Sequence, residues 1–244
     1  MDQQIYTLHR ENEKEHWWYK GRRMIISSIL GQFLKNRGNL KILDFGAGSG
    51  TNTSMLANYG DVYVYEKDKN VQNYLKNKFK NESNIFILEE INKDIKYDLI
   101  IATDVIEHIE NDEKIIGFLS NILKINGNIL LTVPAYNFLF TERDKVLGHF
   151  RRYTKRALRN LTGKYFETIK LTYYNFFLFF LSLFLFVLIK IFKVKSFITS
   201  PEKTPNTILN NIFFYIFSSE KFFLNYINFP FGNSIIYFAR KNNN

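Results

Sequence analysis

Two strand-end acids, a glycine-spaced turn and two histidines carry the chemistry legible in this chain. In "LKILDFGAGSG", Leu40 to Gly50, a short apolar run reaches Asp44 and is followed by Gly46, Ala47, Gly48 and Gly50. A dinucleotide fingerprint reads G-x-G-x-x-G and receives a pyrophosphate at a helix N-terminus. Here the third glycine comes one residue early. Asp44 weighs more: a carboxylate at that strand end repels two phosphates and suits a ligand carrying an ammonium and a sulfonium. Glu66 is placed to accept from ribose hydroxyls with either kind of ligand. His108 in "DVIEHIE" and His149 in "GHFRRY" are candidate general bases for removing a hydroxyl proton, although a structural role suits His108 equally. Arg151, Arg152 and Tyr153 follow His149. The arginines could clamp a phosphate or carboxylate, and the same run also reads as a solvated basic turn leading into a helix capped by Thr154. No H-x-x-x-H, H-E-x-x-H or calcium-loop spacing occurs, so no metal is expected. Serine-nucleophile motifs are also missing.

These residues need a scaffold, and strand and helix patterns alternate along the first half to provide one. "LKILDF" is a strand and "TNTSMLANYG" a helix ended at Gly60; "DVYVYEKD" is a strand ending near Glu66, and "KNVQNYLKNKF" a helix. "NIFILEE" and "YDLIIATDVIEHI" add two strands, then a helix from Asp112 to Lys124 leads to "GNILLTVPA". Such alternation predicts a doubly wound α/β fold, a parallel sheet with helices on both faces and ligands at the carboxyl ends of the strands.

Three of these segments, "ILDFGAGSG" with Glu66, "YDLIIATDVIEHIEND" and "LKINGNILLTVPA", resemble the successive motifs of class I S-adenosylmethionine-dependent methyltransferases, in order and spacing. The resemblance implies S-adenosylmethionine as cofactor. Asp44, Gly46 and Gly48 would surround its methionine part, Glu66 its ribose and Asp104 its methionine end, with Ala47, Lys67 and Thr103 also at the cofactor. Glu89 and Glu90 stand where many members have an Asp near the adenine amine, so which of them reaches adenine is open. "EHWWYKGRR", "VPAYNFLFTERDKVLGHFRRYT" and the C-terminal "LNNIFFYIFSSEKFFLNYINFPFGNSIIYFARK" extend the resemblance to a largely uncharacterised prokaryotic branch. The family also implies a seven-stranded, mostly parallel sheet completed by an antiparallel pair, for which Tyr165–Tyr174 and Ser234–Lys241 fit the sixth and seventh strands.

The remaining segments flank that sheet. Trp17, Trp18, Arg22 and Arg23 lie on an amphipathic N-terminal helix, where adjacent indoles are expected to divide between the domain and the cleft; Trp17, Trp18 and Arg22 join Arg151, Arg152 and Tyr153 as candidate substrate contacts. "NFFLFFLSLFLFVLIKIF", Asn175 to Phe192, falls between the last two strands. Its uninterrupted part, Phe176 to Ile189, reaches about 21 Å as a helix, short of a hydrocarbon core of roughly 30 Å. A single crossing would also separate the two paired strands. An interfacial cap is favoured over a soluble lid or dimer contact, with Lys190, Lys193 and Lys195 at its end toward anionic headgroups and Pro201 and Pro205 in the following loop. The predicted organisation is a lid over residues 1–36, the cofactor domain over 37–175, a hydrophobic helical insertion over 176–233, and the last strand and a tail over 234–244.

Composition narrows the partners. The 244-residue chain has a formal net charge of +10 and no cysteine, which excludes disulfides and thiol nucleophiles. Lys is dispersed among Asn, Ile and Phe, and no nucleic-acid motif accompanies it. No apolar leader stands at the N-terminus, so a cytoplasmic protein, peripheral on the inner face of the membrane, is expected. The reading is a methyltransferase that O-methylates an amphiphilic acceptor such as an isoprenoid quinol, a lipid or a lipid-linked sugar. A soluble acceptor, a non-catalytic cofactor-binding module and a nucleotide-dependent oxidoreductase are the alternatives.

Overall fold

The computed structural model describes residues 13–34, 38–192 and 204–242. Lys193, Lys195, Pro201 and most of the basic end of the apolar stretch lie outside them. Seven strands form one sheet: β1 (Leu40–Phe45), β2 (Gly60–Tyr65), β3 (Ile85–Leu88), β4 (Tyr97–Thr103), β5 (Leu123–Pro134), β6 (Phe166–Tyr174) and β7 (Ser234–Lys241). Their spatial order is β3-β2-β1-β4-β5-β7-β6, with β7 antiparallel to both neighbours and the first five parallel. Ile42, Leu43, Leu99, Ile100 and Ile101 in β1 and β4 are fully buried on both faces, as central parallel strands require.

Helices α1 (Trp17–Phe33), α2 (Thr53–Leu56), α3 (Lys69–Lys78), α4 (Asp112–Ile122), α5 (Glu142–Leu147), α6 (Lys155–Thr162), α7 (Phe179–Phe192) and α8 (Thr207–Leu224) connect or flank the strands. Side chains fix several starts. Asp68 accepts from Asn70 and Val71 at α3, Asn111 from Lys114 at α4, and Thr154 from Ala157 at α6, each cap worth about 1 kcal/mol. Two boundaries differ from expectation. The first helix after the glycine turn is only one turn long, and Gly60 opens β2 instead of ending that helix. A Cβ on Gly60 would lie 2.1 Å from the Leu40 carbonyl oxygen, so glycine there serves the close approach of β1 and β2. The helix starting at Asp112 stops at Ile122, because Leu123 already pairs with Tyr97 in the sheet.

The segment between β6 and β7 makes α7 and α8, and α8 lies along α1. Gly21 lets the two helices meet: an added Cβ would be 2.5 Å from the Phe217 ring. Asn210 closes the same contact by accepting from the Trp17 amide at 2.9 Å and donating to the Glu15 carbonyl at 2.8 Å. Buried Glu220 of α8 accepts the amides of Asn175, Phe176 and Phe177 at 2.7, 2.7 and 3.0 Å, tying the turn that leaves β6. Phe180 and Phe184 on α7 and Ile208 and Phe222 on α8 face solvent. No helix of the described residues is long and apolar enough to cross a membrane.

Candidate active site

Strand order reverses between β1 and β4, and the crevice at such a switch point is where open α/β sheets bind ligands. Asp44 pairs with Val64 and Ile101, so the carboxyl ends of β1, β2 and β4 lie level. Gly46 and Gly48 take φ values of 70° and 56°, a left-handed turn that a β-carbon disfavours. A Cβ on Gly46 would also strike Val105 at 2.7 Å. The Gly46 and Ala47 amides both reach the Tyr65 carbonyl, at 2.8 and 3.2 Å, which folds the loop back over the end of β2.

Glu66 organises that loop. Its carboxylate accepts from the amides of Gly48 at 2.9 Å, Lys67 at 2.8 Å and Asp68 at 3.4 Å. With about four lone-pair directions on a carboxylate, one acceptor position is left for a ribose hydroxyl. Asp44 is buried and accepts from the Thr53 hydroxyl at 2.7 Å. Burial pushes its carboxyl up to about 6, with Glu66 adding to the shift and Thr53 and Arg22 opposing it. Two acids across one glycine turn fit a cationic ligand and disfavour a pyrophosphate. Two buried polar atoms beside them, Asn52 Oδ1 and Arg22 Nε, have no protein partner, consistent with a polar ligand in the crevice.

Two contacts close the crevice from the N-terminal side. Buried Glu13 accepts from Ser49, from the Thr51 hydroxyl at 2.6 Å and from Lys78 Nζ at 2.7 Å. Arg22 of α1 forms an ion pair with Asp104, which also accepts from the Thr132 hydroxyl at 2.9 Å and has a φ of 55°. Neither link was legible in sequence, since each joins segments far apart in the chain.

A second cluster of polar residues follows β4 and β5. Glu107 is fully buried, and His108 and His149 meet edge to face with ring centroids 4.6 Å apart. Burial, then the neighbouring His149, lowers His108 to about 4. His149 Nδ1 lies 2.9 Å from Asp144 Oδ1. Burial opposes the charge on Asp144, yet His149 and Arg152 hold its carboxyl well below the usual carboxylate range.

Several expected substrate contacts have other partners. Arg152 is bidentate on Asp144, through Nε at 2.8 Å and Nη2 at 2.9 Å, and Arg151 pairs with Asp112 at 2.7 Å. Both guanidiniums thus brace the loop, and Arg22 is likewise held by Asp104. Tyr153 is buried and donates to Asp112 at 2.8 Å, an internal strut rather than a surface for an acceptor. The expected division of the two indoles is corrected as well. Trp17 sits edge-on to Phe217, and Trp18 stacks on the same ring at 5.0 Å and on Tyr174 at 6.1 Å. Phe217 inserts between neighbours that point to different helix faces.

Of the remaining predicted cofactor residues, Thr103 accepts from Asn52 at 3.0 Å. Lys67 contributes its amide to Glu66. Glu89 and Glu90 are both exposed beyond β3, Glu89 bound to Lys76 at 2.5 Å. Sequence reasoning missed Glu13, Asp144 and Tyr136. Tyr136 has φ 62° and ψ 111°, backbone strain in a bulky residue that marks functional loops, and it stacks on Tyr173 at 5.0 Å.

The fold and the acid-and-glycine crevice define a class I S-adenosylmethionine-dependent methyltransferase. A family model described as "Methyltransferase domain" matches residues 17–169, more than half of the chain, and the chain belongs to that family. Among curated proteins it is 28% identical over 144 residues to a ubiquinone biosynthesis O-methyltransferase of Rickettsia akari (strain Hartford), covering 51% of this chain and 54% of the relative. It is 33% identical over 130 residues to the protein of that name from Rickettsia typhi (strain ATCC VR-144 / Wilmington), covering 45% and 49%. The chain thus spans about half the length of these curated relatives. Among solved structures, the N-methyltransferase NodS from Bradyrhizobium japonicum WM9 in complex with S-adenosyl-l-homocysteine superposes with a TM-score of 0.60 at 11% identity, over 98% of this chain and 99% of that one.

Proposed function

We propose that this methyltransferase O-methylates a hydroxyl of an amphiphilic, membrane-partitioned acceptor, with a quinol as the leading chemical class. The observation that carries the reading is a run of aromatic contacts from the loop after β5 to the helices between β6 and β7. Tyr136, on the loop after β5, packs on Tyr173 and, at 6.0 Å, on Phe179 at the start of α7. Beyond Phe179, the rings of Phe180 and Phe184 are 62% and 59% exposed. An acceptor with a prenyl or acyl tail could lay its tail along that surface while its head group meets the histidines. The curated relatives named ubiquinone biosynthesis O-methyltransferase support the quinol class.

S-adenosylmethionine supplies an activated methyl group on a sulfonium. The chain's own task is to align the acceptor oxygen in line with that methyl and to exclude water. Asp44 and Glu66 would bind the cofactor's amino and ribose ends, and Asp104, steadied by Arg22 and Thr132, would lie at its methionine end. The acceptor oxygen forms its bond to carbon as the carbon–sulfur bond breaks, and the hydroxyl proton passes to the cluster of Glu107, His108 and His149. Phe180, Phe184 and their neighbours on α8 would rest in the membrane interface, beside the pool of acceptor.

The test is incubation with methyl-labelled S-adenosylmethionine and demethylated quinols of graded tail length, followed by organic extraction. Label in the organic phase that increases with tail length is expected. Label confined to the aqueous phase with extracts of the source cell would replace the quinol by a soluble acceptor.

A further inference from the structure

Glu107 poses a problem that methyl transfer alone does not solve. It is fully buried, and neither carboxylate oxygen has a hydrogen-bond partner, an arrangement whose desolvation cost needs a compensating group. The Arg22 and Arg152 guanidiniums favour its charge from nearby and Asp104 opposes it, but none of them bonds to it, and the side chains within ligand distance are two imidazoles. Ligand atoms of Glu107, His108 and His149 all lie within 4.8 Å of one another. We propose that these three side chains bind one divalent first-row transition-metal ion at the acceptor side of the cleft.

The surroundings of both histidines suit ligation. His149 has Asp144 at Nδ1, 2.9 Å away, and Asp144 is itself fixed by the two-point contact with Arg152. A carboxylate behind the imidazole sets its tautomer and leaves Nε2 as the ligand atom, the arrangement that supports most metal-bound histidines. His108 is steadied by a hydrogen bond with the Gly148 backbone, and Gly148 ends α5 in a left-handed turn with φ 80°. Two ligands each about 2.1 Å from one ion are at most about 4.2 Å apart, so the side chains close the last few tenths of an ångström by rotation. Two imidazoles and one carboxylate select a borderline transition ion over calcium or magnesium and leave coordination positions open.

Open positions next to Asp104 would receive acceptor oxygens. With the ion bound, the three ligands no longer take the proton: a hydroxyl coordinated there gives it up more readily to water as the acceptor enters, through Lewis-acid polarisation. The inference deepens the methyl-transfer reading of this cleft, but binding of the ion is measured without turnover, so the two can fail separately. A spacing rule could not have found the site, because its third ligand arrives from the loop after β5.

The experiment uses tag-free full-length protein, stripped with chelator and dialysed against Zn2+, with Co2+ absorption as a second readout. A single equivalent of metal per chain and a ligand-field spectrum indicating imidazole ligands are expected. Glu107→Gln and His149→Ala should each weaken binding at least about tenfold, and Asp144→Asn by about 10- to 100-fold through the outer shell. S-adenosylhomocysteine binding by the stripped variants checks their folding. Should His149→Ala not fold, the near-isosteric Glu107→Gln carries the test. Well under one equivalent in the parent protein, or variants that bind Zn2+ as tightly as the parent, would overturn the proposal. Stoichiometric metal without methylation of any quinol would leave it standing and remove the quinol reading instead.

Discussion

Arg22 of α1 is paired with Asp104, the residue immediately beyond β4, and the two are unequally buried: their side chains are 8% and 27% exposed. Breaking a buried pair costs most when the deeper charge is left alone. Asp104→Asn should therefore destabilise the protein by about 3 kcal/mol and Arg22→Met by about 1 kcal/mol. Urea unfolding of the two variants measures the difference. A larger loss for Arg22→Met would show that helix packing, not charge, dominates this contact.

Gly21 and Phe217 set the distance between α1 and α8. Alanine is the better helix former by about 1 kcal/mol, but its Cβ would meet a ring that is stacked on Trp18 and Tyr174. Gly21→Ala should lower stability by about 1–3 kcal/mol and change the tryptophan emission. Phe217→Leu in the same chain should recover part of the loss.

Asp44 links pH to both stability and cofactor binding, with opposite slopes. Its folded-state carboxyl titrates at about 6 against 3.8 for the ordinary group. Between those values the folded chain holds a proton that the unfolded chain has released, so this group's contribution to stability falls as pH rises through the window. Cofactor binding needs the charged form, so affinity for S-adenosylmethionine should fall as pH drops below about 6. Calorimetric titrations across that range should show the trend in the parent and a weak, flat profile in Asp44→Asn.

Glu220 gives a second window. Burial pushes its carboxyl up to about 7 from 4.5, against the opposing effect of the Phe177, Asn175 and Phe176 amides. Stability should decline from pH 4.5 to about 7 and level off above, and Glu220→Gln should flatten that part of the profile. The substitution also places an N–H donor among three backbone donors. Amide exchange at Asn175 to Phe177 should therefore accelerate at every pH.

Phe180 and Phe184 offer a direct check on the membrane reading. Each ring buried in lipid is worth about 1.5–3 kcal/mol. Phe180→Ser with Phe184→Ser should reduce flotation with anionic vesicles by at least about tenfold, while thermal stability moves little because both rings are already exposed. Unchanged flotation would place the contact elsewhere.

Much of the sheet is readable from local pattern alone. The five parallel strands follow from alternating strand and helix patterns, whereas the sixth and seventh, found at Phe166–Tyr174 and Ser234–Lys241, are placed by the family resemblance at Tyr165–Tyr174 and Ser234–Lys241. Asp44, Gly46, Gly48 and Glu66 were legible because strand, turn and acid follow one another within a single βαβ unit. Glu13, Asp144 and the inward face of Glu107 were not. Their roles come from partners such as Ser49, Lys78, Arg152 and His149, and pairings between distant or irregular segments leave no period in the sequence. The short helix α2 shows the converse limit: "TNTSMLANYG" has helical composition, but the approach of Gly60 to Leu40 ends it early.

Tyr174 and Ser234 are register partners in the sheet, so the chain departs toward the apolar helices and comes home at points only about 5 Å apart. Adjoining ends let the two strands keep their pairing whatever joins them, while α8 remains locked to α1 through Gly21, Phe217 and Asn210. The sheet sees one short gap between β6 and β7 whatever occupies it, and the strand pairing itself places no limit on the length or greasiness of the material between. A change in this segment therefore reaches the rest of the fold through α1 and leaves the pairing of β6 with β7 as it is. A chimera that exchanges the residues between Asn175 and Asn233 must therefore bring the matching face of α1 with it.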